Sequence, residues 1–219
     1  MKKIILCYFL AFSPLFFLNV YCSGSQTEVG VVINGVRWAT RNVAAPGTFA
    51  TNPEDAGMFY QWNSKVGWSA TGEIGSITAT DGSTTWNSSW TGGYTSPSSS
   101  DTWTSTNDPS PVGWRVPTYV EIKTLLDTTK VTTTWITQSS SVYGRKFTDK
   151  TTGNSIFLPA PGFRVFDSGT LVLDGLYGGY WSNTTLVSRL AYDLDFGSSG
   201  ADWYLNKRAD GFSVRSVIK

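Results

Sequence analysis

Short segments in which apolar and polar residues alternate constrain the fold of this chain more than any other feature. Residues 29–42 (VGVVINGVRWATRN) carry the turn pair Asn34-Gly35 between two such segments, a pattern that predicts a β-hairpin. Residues 191–196 (AYDLDF) and 211–217 (GFSVRSV) alternate in the same way. Because successive side chains of a strand point to opposite faces, these segments indicate half-buried antiparallel strands.

One segment carries a strong signal for the start of a helix. Within residues 108–126 (DPSPVGWRVPTYVEIKTLL), Pro117 holds its predecessor extended, so the helix begins after it. Thr118 and Glu121 have the spacing of a capping box, in which the Thr hydroxyl accepts the Glu amide and the Glu carboxylate accepts the Thr amide. The apolar residues that follow share one helical face: Tyr119, Ile122, Leu125 and Leu126. This is the one convincing helix in the sequence.

The N-terminus has the layout of a secretory signal peptide. Lys2 and Lys3 precede an apolar run over residues 4–20, and small residues follow it. A membrane-anchor helix is the alternative reading, but the run is short for a span and Pro14 interrupts it. We assign residues 1–22 to the signal peptide, residues 23–28 to a linker and residues 29–219 to one domain.

Composition agrees with export and argues against a nucleic-acid partner. Only 15% of the residues are charged, 15% are aromatic and 22 are Gly, which is typical of extracellular β-rich chains. Loss of the signal peptide removes Lys2 and Lys3 and leaves 15 basic and 16 acidic residues. A chain so close to neutral has no electrostatic footprint for nucleic acid. We expect the protein in the outer membrane, at the cell surface or outside the cell.

Cys22 stands at the predicted cleavage point and has two readings. It could be the lipidated first residue of a bacterial lipoprotein, with Ser23-Gly24-Ser25 as a flexible tether, or an incidental residue at an ordinary cleavage site. The bulky Tyr21 counts against lipidation, whereas the position and the tether count for it. Membrane contact is expected only through such a lipid anchor. The second cysteine, Cys7, leaves with the signal peptide, so the domain has no internal disulfide.

Residues 69–110 differ in character from the rest of the chain. They are rich in Ser, Thr and Gly, contain few aliphatic residues and hold the regularly spaced aromatics Trp86, Trp90, Tyr94 and Trp103. A low-complexity linker between two domains is one interpretation. We favour a long excursion within one domain, because the aromatics could anchor it on the core or form a binding surface.

A series of motifs in fixed order links the chain to a known family. The motifs are NGVRWATRN, FYQW, DPSPVGWRVPTYVEIKTLL, SIFLPAPGFRV, GGYWSN, AYDLDF and a terminal GFSVRSV. Together they cover residues 29–219 and resemble the Fibrobacter succinogenes major paralogous domain family, which is common in surface and secreted proteins of gut Bacteroidetes. The resemblance implies a C-type lectin-like fold of the α+β class. That fold has small twisted antiparallel sheets, one or two helices, long irregular loops and paired termini.

The chain departs from these relatives in its cysteine content. Relatives often carry a Cys where this chain has Ser110, and no partner Cys is present either, so a disulfide that the resemblance implies is absent. The lectin-like fold also hosts formylglycine-generating enzymes, which depend on cysteine chemistry. With no Cys in residues 29–219, that activity does not carry over.

Acid–base and metal chemistry are restricted by residue types. The chain contains no His, which removes the commonest general base at neutral pH and the usual ligands of Zn and Cu. Asp193 and Asp195 fall on one face of the AYDLDF strand, about 6–7 Å apart by strand geometry, a separation that a glycosidase pair could use. We favour a solvated strand face over a catalytic pair, because any half-buried strand alternates in this way. No catalytic residue and no metal site are predicted.

Ligand binding is the function that the resemblance favours. In hypervariable ligand-binding relatives the binding face lies near the C-terminus, which here corresponds to residues 180–185 and 200–208. The candidate ligand-binding residues are Asn183, Asp193, Asp195, Trp203, Tyr204, Asn206 and Arg208. Trp and Tyr side chains can stack on sugar rings or on partner side chains, although we expect Trp181 in the core.

No cofactor is predicted for this chain. Calcium remains an open alternative, since lectin-like folds often hold it with loop carboxylates and Asn side chains. The available side chains are Asn183, Asp193, Asp195, Asp202, Asn206 and Asp210. The lectin-type Glu-Pro-Asn and Trp-Asn-Asp triplets are absent from the sequence.

The sequence therefore predicts a secreted or surface-tethered, non-enzymatic domain that binds a glycan or an extracellular protein. A structural subunit of a surface or fimbria-like assembly is the first alternative. A carbohydrate-active enzyme that uses Asp193 and Asp195 is the second.

Overall fold

The computed structural model describes residues 28–139 and 142–219. The predicted signal peptide, Cys22 and the linker up to residue 27 lie outside the described residues. Among the described residues, no helix has the length and apolar character needed to cross a bilayer.

Strands dominate the described part of the chain. The first five are β1 (Val31–Ile33), β2 (Val36–Trp38), β3 (Met58–Gln61), β4 (Gly67–Ser69) and β5 (Trp114–Arg115), followed by α1 (Tyr119–Leu126). The next five are β6 (Val131–Ser139), β7 (Val142–Asp149), β8 (Ser155–Pro159), β9 (Phe163–Arg164) and β10 (Leu171–Val172). The last five are β11 (Tyr177–Val187), β12 (Leu190–Gly197), β13 (Ala201–Lys207), β14 (Gly211–Phe212) and β15 (Val217–Ile218).

The predicted α+β class, with its lectin-like combination of sheets and one or two helices, is wrong. Strands hold 41% of the described residues and helix 4%, in several small antiparallel sheets, so the fold is β-rich. The physical reason is local. Thr118 and Glu121 form the one strong helix-start signal, and the chain then enters β6 (VTTTWITQS), whose β-branched residues favour extended backbone.

The strands form four small sheets. Their strand orders are β1-β2-β15-β5, β10-β9-β14-β3-β4, β11-β12-β13 and β6-β7-β8. The C-terminal residues join two of them, since β14 lies between β9 and β3 while β15 lies between β2 and β5. Every strand pair in these sheets is antiparallel.

The N-terminal hairpin and the helix start were both predicted correctly. Asn34 and Gly35 turn the chain between β1 and β2 with φ of 44° and 82°, left-handed values that Asn and Gly tolerate best. The hydroxyl of Thr118 accepts the amide of Glu121, and the Glu121 carboxylate accepts the amide of Thr118 in return. The buried side chains of α1 are Ile122 and Leu125, both on the predicted face.

Two aromatic-rich cores underlie the three-stranded sheet β11-β12-β13. One contains Tyr180, Leu194 and Phe196 together with residues of α1 and of the β6-β7-β8 sheet. The other contains Trp62, Trp181 and Phe212. Trp181 is completely buried, as expected from the sequence. The central strand β12 is therefore packed on both faces.

The excursion over residues 69–110 has few ladder hydrogen bonds of its own and is held by side chains. Trp86 is buried and donates its indole N–H to the carbonyl of Phe166 at 3.0 Å. Trp103 packs edge-on against Trp62. Arg208 is completely buried and makes a 2.6 Å ion pair with Asp101. The aromatics anchor this segment rather than forming a free surface.

Candidate functional site

The sheet β11-β12-β13 gathers polar side chains on one of its faces. Strand β12 is central, and the register pairs Asp193 with Trp181 and Tyr204, and Asp195 with Gly179 and Asp202. Directly paired residues point to the same face. The side chains on this face are therefore Tyr177, Trp181, Asp193, Asp195, Asp202, Tyr204 and Asn206.

Asp193 and Asp195 are buried, so the expected solvated strand face is wrong. Asp193 has no exposed surface and Asp195 is 8% exposed. The cause is the position of β12, because residues of the second core cover this face instead of water. The Nδ2 atom of Asn206 donates to Oδ2 of both carboxyl groups, at 3.1 Å and 3.3 Å, and so joins the pair.

Burial and mutual repulsion make these carboxyl groups hold protons tightly. Burial raises the pKa of Asp193 well above its usual range, and the negative charge of Asp195 raises it further. Burial also raises the pKa of Asp195. Burial, followed by the nearby charge of Asp195, raises the pKa of the Tyr177 hydroxyl. A pair of this kind is most stable when it shares one proton between its two members.

A cleft of about 440 Å³ opens beside this pair, where β12 turns into β13. We call it the acidic cleft, and its lining includes Tyr177, Asp195, Asp202, Tyr204 and residues of the turn between the two strands. Asp202 lies exposed at the rim, and Tyr204 is 55% exposed. Arg145 fixes the turn from behind by donating to the carbonyl oxygen of Gly197 at 2.5 Å.

The opposite face of the sheet carries an aromatic cluster of Tyr119, Tyr192 and Trp203. The rings of Tyr119 and Tyr192 stack at 4.0 Å, and Trp203 meets both of them edge-on at 5.4 Å and 5.5 Å. Trp203 is 38% exposed, so part of the indole still reaches solvent. Trp203 and Tyr204 thus point to opposite faces of β13, as strand alternation requires.

The remaining sequence-predicted residues lie apart from the acidic cleft. The guanidinium of Arg208 is enclosed, with Asp101, the carbonyl oxygens of Ser98 and Thr91, and the ring of Trp62 around it. The side-chain oxygen of Asn183 accepts the Thr184 hydroxyl at 3.0 Å. Both residues hold the excursion in place, because the backbone carbonyl of Asn183 also accepts the amide of Trp103.

The structure offers little to a metal ion. Among the described residues, no group of three or more His, Cys, Asp or Glu side chains is arranged to hold one. Asp210, one of the residues considered for calcium, accepts the backbone amides of Phe166 and Lys207 at 2.8 Å and 3.0 Å. Burial raises the pKa of Asp210 to about 6.

Sequence reasoning missed Tyr177 and Tyr192. Tyr177 precedes the GGYWSN motif by one residue, and its alternation with Gly179 and Trp181 places it on the face of Asp195 once the register of β11 and β12 is known. That register was not available from the sequence. Tyr192 alternates with Asp193 and so lies on the opposite face of β12, but its stacking partner Tyr119 comes from a helix 73 residues earlier in the numbering.

Comparison of the chain with family models, with curated proteins and with solved structures gave no match.

Proposed function

We propose that this chain is an exported, non-enzymatic binding domain that recognises a glycan through the acidic cleft. The observation that carries the proposal is the half-exposed ring of Tyr204 beside the carboxylates of Asp195 and Asp202. An aromatic ring packs on the apolar face of a sugar, and carboxylates accept strong hydrogen bonds from its hydroxyl groups. A concave site with a few convergent polar groups is the usual form of a small-ligand site.

The burial of Asp193 favours binding over hydrolysis. A glycosidase needs two carboxyl groups that flank the scissile bond and contact the substrate. Asp193 has no exposed surface, and the side chain of Asn206 bridges its carboxyl group to that of Asp195. The pair is therefore suited to shaping the charge of the cleft rather than to attacking a glycosidic bond.

The sequence supports the setting of this function. The predicted signal peptide would deliver the domain to the cell surface or beyond it, where glycans are abundant. We further propose membership of the Fibrobacter succinogenes major paralogous domain family on the basis of the seven ordered motifs. Two of these motifs, GGYWSN and AYDLDF, fall on β11 and β12, the strands beside the cleft.

A glycan array probed with the exported chain, residues 23–219, tests the proposal. We expect saturable binding to at least one glycan class, in buffer with calcium and in buffer with a chelator. Tyr204→Ala and Asp202→Asn should each abolish or strongly weaken the signal. The matched controls are Tyr143→Ala and Asp174→Asn, which remove an exposed ring and an exposed carboxylate outside the cleft. A blank array with well-folded protein would overturn the proposal.

A further inference from the structure

The acidic cleft has carboxylates without a basic counterpart. Asp195 is nearly buried and Asp202 is exposed at the rim, and among the described residues no Lys or Arg lines the cleft. The buried Asp193 stands behind Asp195, and Asp210 adds a further negative influence on Asp193. The nearby cation Arg145 is directed at the carbonyl oxygens of Gly197 and Ser198, behind the turn.

Two oxygen atoms of this group are left without partners. Oδ1 of Asp193 and Oδ1 of Asp195 are buried and have no hydrogen-bond partner, whereas both Oδ2 atoms accept from Asn206. A buried acceptor without a donor destabilises the folded protein, and more so when it is charged. The donors that could serve these oxygens are the nearby hydroxyl of Tyr177, a proton shared by the pair and a positively charged group supplied by a ligand.

We propose, resting on the proposed glycan function, that the acidic cleft selects glycans that carry a protonated primary amine, as in an unacetylated amino sugar. An ammonium group offers three donors and a full positive charge, so it satisfies Asp195 and Asp202 together. The ring of Tyr204 adds a cation–π contact at the rim. A neutral hydroxyl group would leave the negative charge of the cleft uncompensated.

The charged groups around the site also predict a proton balance. The groups that face the pair are Tyr177 on β11, Asp202 and Tyr204 on β13, and Asp210 after β13. Burial raises the pKa of both Asp193 and Asp195, so the pair takes up a proton more readily than two exposed carboxyl groups would. An ammonium ligand stabilises the ionised form of the pair, so we expect binding to release protons to the buffer.

The test is calorimetric titration of the exported chain with a glucosamine hexasaccharide and with its fully N-acetylated counterpart, in mildly acidic buffer. We expect at least about ten-fold tighter binding of the free amine, since one lost charge-assisted contact is worth about that factor. Asp202→Asn should remove most of the difference, and Asp174→Asn should leave it unchanged. Titrations in two buffers of different ionisation enthalpy should reveal proton release.

Each other outcome contradicts the inference in a distinguishable way. Equal affinity for the amine and the N-acetyl ligand would overturn amine selection and leave glycan binding intact. No binding of any glycan on the array or in the titration would overturn the proposed function as well. If calcium binds the chain on its own and displaces the amine, the carboxylates bind a metal ion instead, and the inference is wrong. Amine binding that Asp202→Asn leaves unchanged would place the ligand elsewhere.

Discussion

Asp193 is the residue whose surroundings differ most from those of an ordinary strand carboxylate. It is completely buried beside a second carboxyl group, with one amide donor between them. Burial raises its pKa in the folded protein above the unfolded value, so the folded state binds more protons than the unfolded state over the pH range between the two. Folding stability therefore falls as pH rises through that range.

The substitution Asp193→Asn tests this linkage. Asn keeps a donor for Asp195 but does not ionise, so the variant should lose less stability than the wild type as pH rises from about 5 to about 8. We expect the difference in unfolding free energy between the two proteins to change steadily across that range, because only the wild type carries an Asp193 that ionises. Urea denaturation at several pH values measures it. Asp210, whose pKa burial raises to about 6, titrates in both proteins. Parallel pH profiles would contradict a proton-holding Asp193.

Trp203 and Tyr204 should separate into a structural and a binding residue. Trp203 packs against Tyr119 and Tyr192, so Trp203→Ala should lower the free energy of unfolding by about 1–3 kcal/mol and leave affinity for an array-identified glycan nearly unchanged. Tyr204→Ala should change stability by less than about 0.5 kcal/mol and weaken binding about ten-fold. Thermal unfolding and calorimetry on both variants provide the comparison. If Trp203→Ala weakens binding and Tyr204→Ala lowers stability instead, the ligand binds at the aromatic cluster and not in the acidic cleft.

Individual elements show what sequence reasoning can and cannot reach. The β1–β2 hairpin and the capping box of α1 were predicted because their signals lie within a few residues: Asn34-Gly35 for the turn, and Thr118 with Glu121 for the cap. The same local argument failed for Asp193 and Asp195. Their burial depends on what covers the face of β12, and those residues come from distant parts of the chain.

The prediction of the fold class was wrong for a related reason. The helices came from the resemblance, whereas the chain itself has one strong start signal and extended, Thr-rich segments after it. Arg208 shows the same limit at the candidate site. From the sequence, a cation two residues after Asn206 was predicted to bind a ligand at the surface. Its partner Asp101 lies 107 positions away in the sequence, and the ion pair holds Arg208 in the interior.

The ion pair of Arg208 with Asp101 should control the order of the excursion. Arg208→Met leaves the nearly buried Asp101 without its cation, which should cost about 3–5 kcal/mol and raise hydrogen exchange over residues 91–104. Arg115→Met is the matched control, because its partner Glu121 forms a more exposed pair and its loss should cost about 1 kcal/mol or less. Exchange mass spectrometry with urea denaturation measures both effects. Equal losses of unfolding free energy in the two variants would contradict the claim that the ion pair of Arg208 with Asp101 holds the excursion in place.

At the scale of the whole molecule, the C-terminus holds separate sheets together. Strand β14 joins the five-stranded sheet and β15 the four-stranded one, and Val217 pairs with Trp38 of the N-terminal hairpin. The paired termini were expected from the resemblance. A chain cut after Asp210 should therefore lose cooperative folding altogether, whereas removal of Lys219 alone should have little effect. Circular dichroism with thermal melts distinguishes the two truncated chains. A chain that still folds without the residues after Asp210 would contradict the claim that the C-terminal strands hold the sheets together.

The central claim is that a ligand binds in the acidic cleft, and NMR titration of ¹⁵N-labelled chain with the glucosamine hexasaccharide tests it most directly. We predict saturable shift changes confined to the amides from Gly197 to Tyr204 and their β11 neighbours near Tyr177. The aromatic cluster, followed through the amides of α1, should stay unchanged. Shifts centred on α1, or no shifts at all with folded protein, would contradict the account.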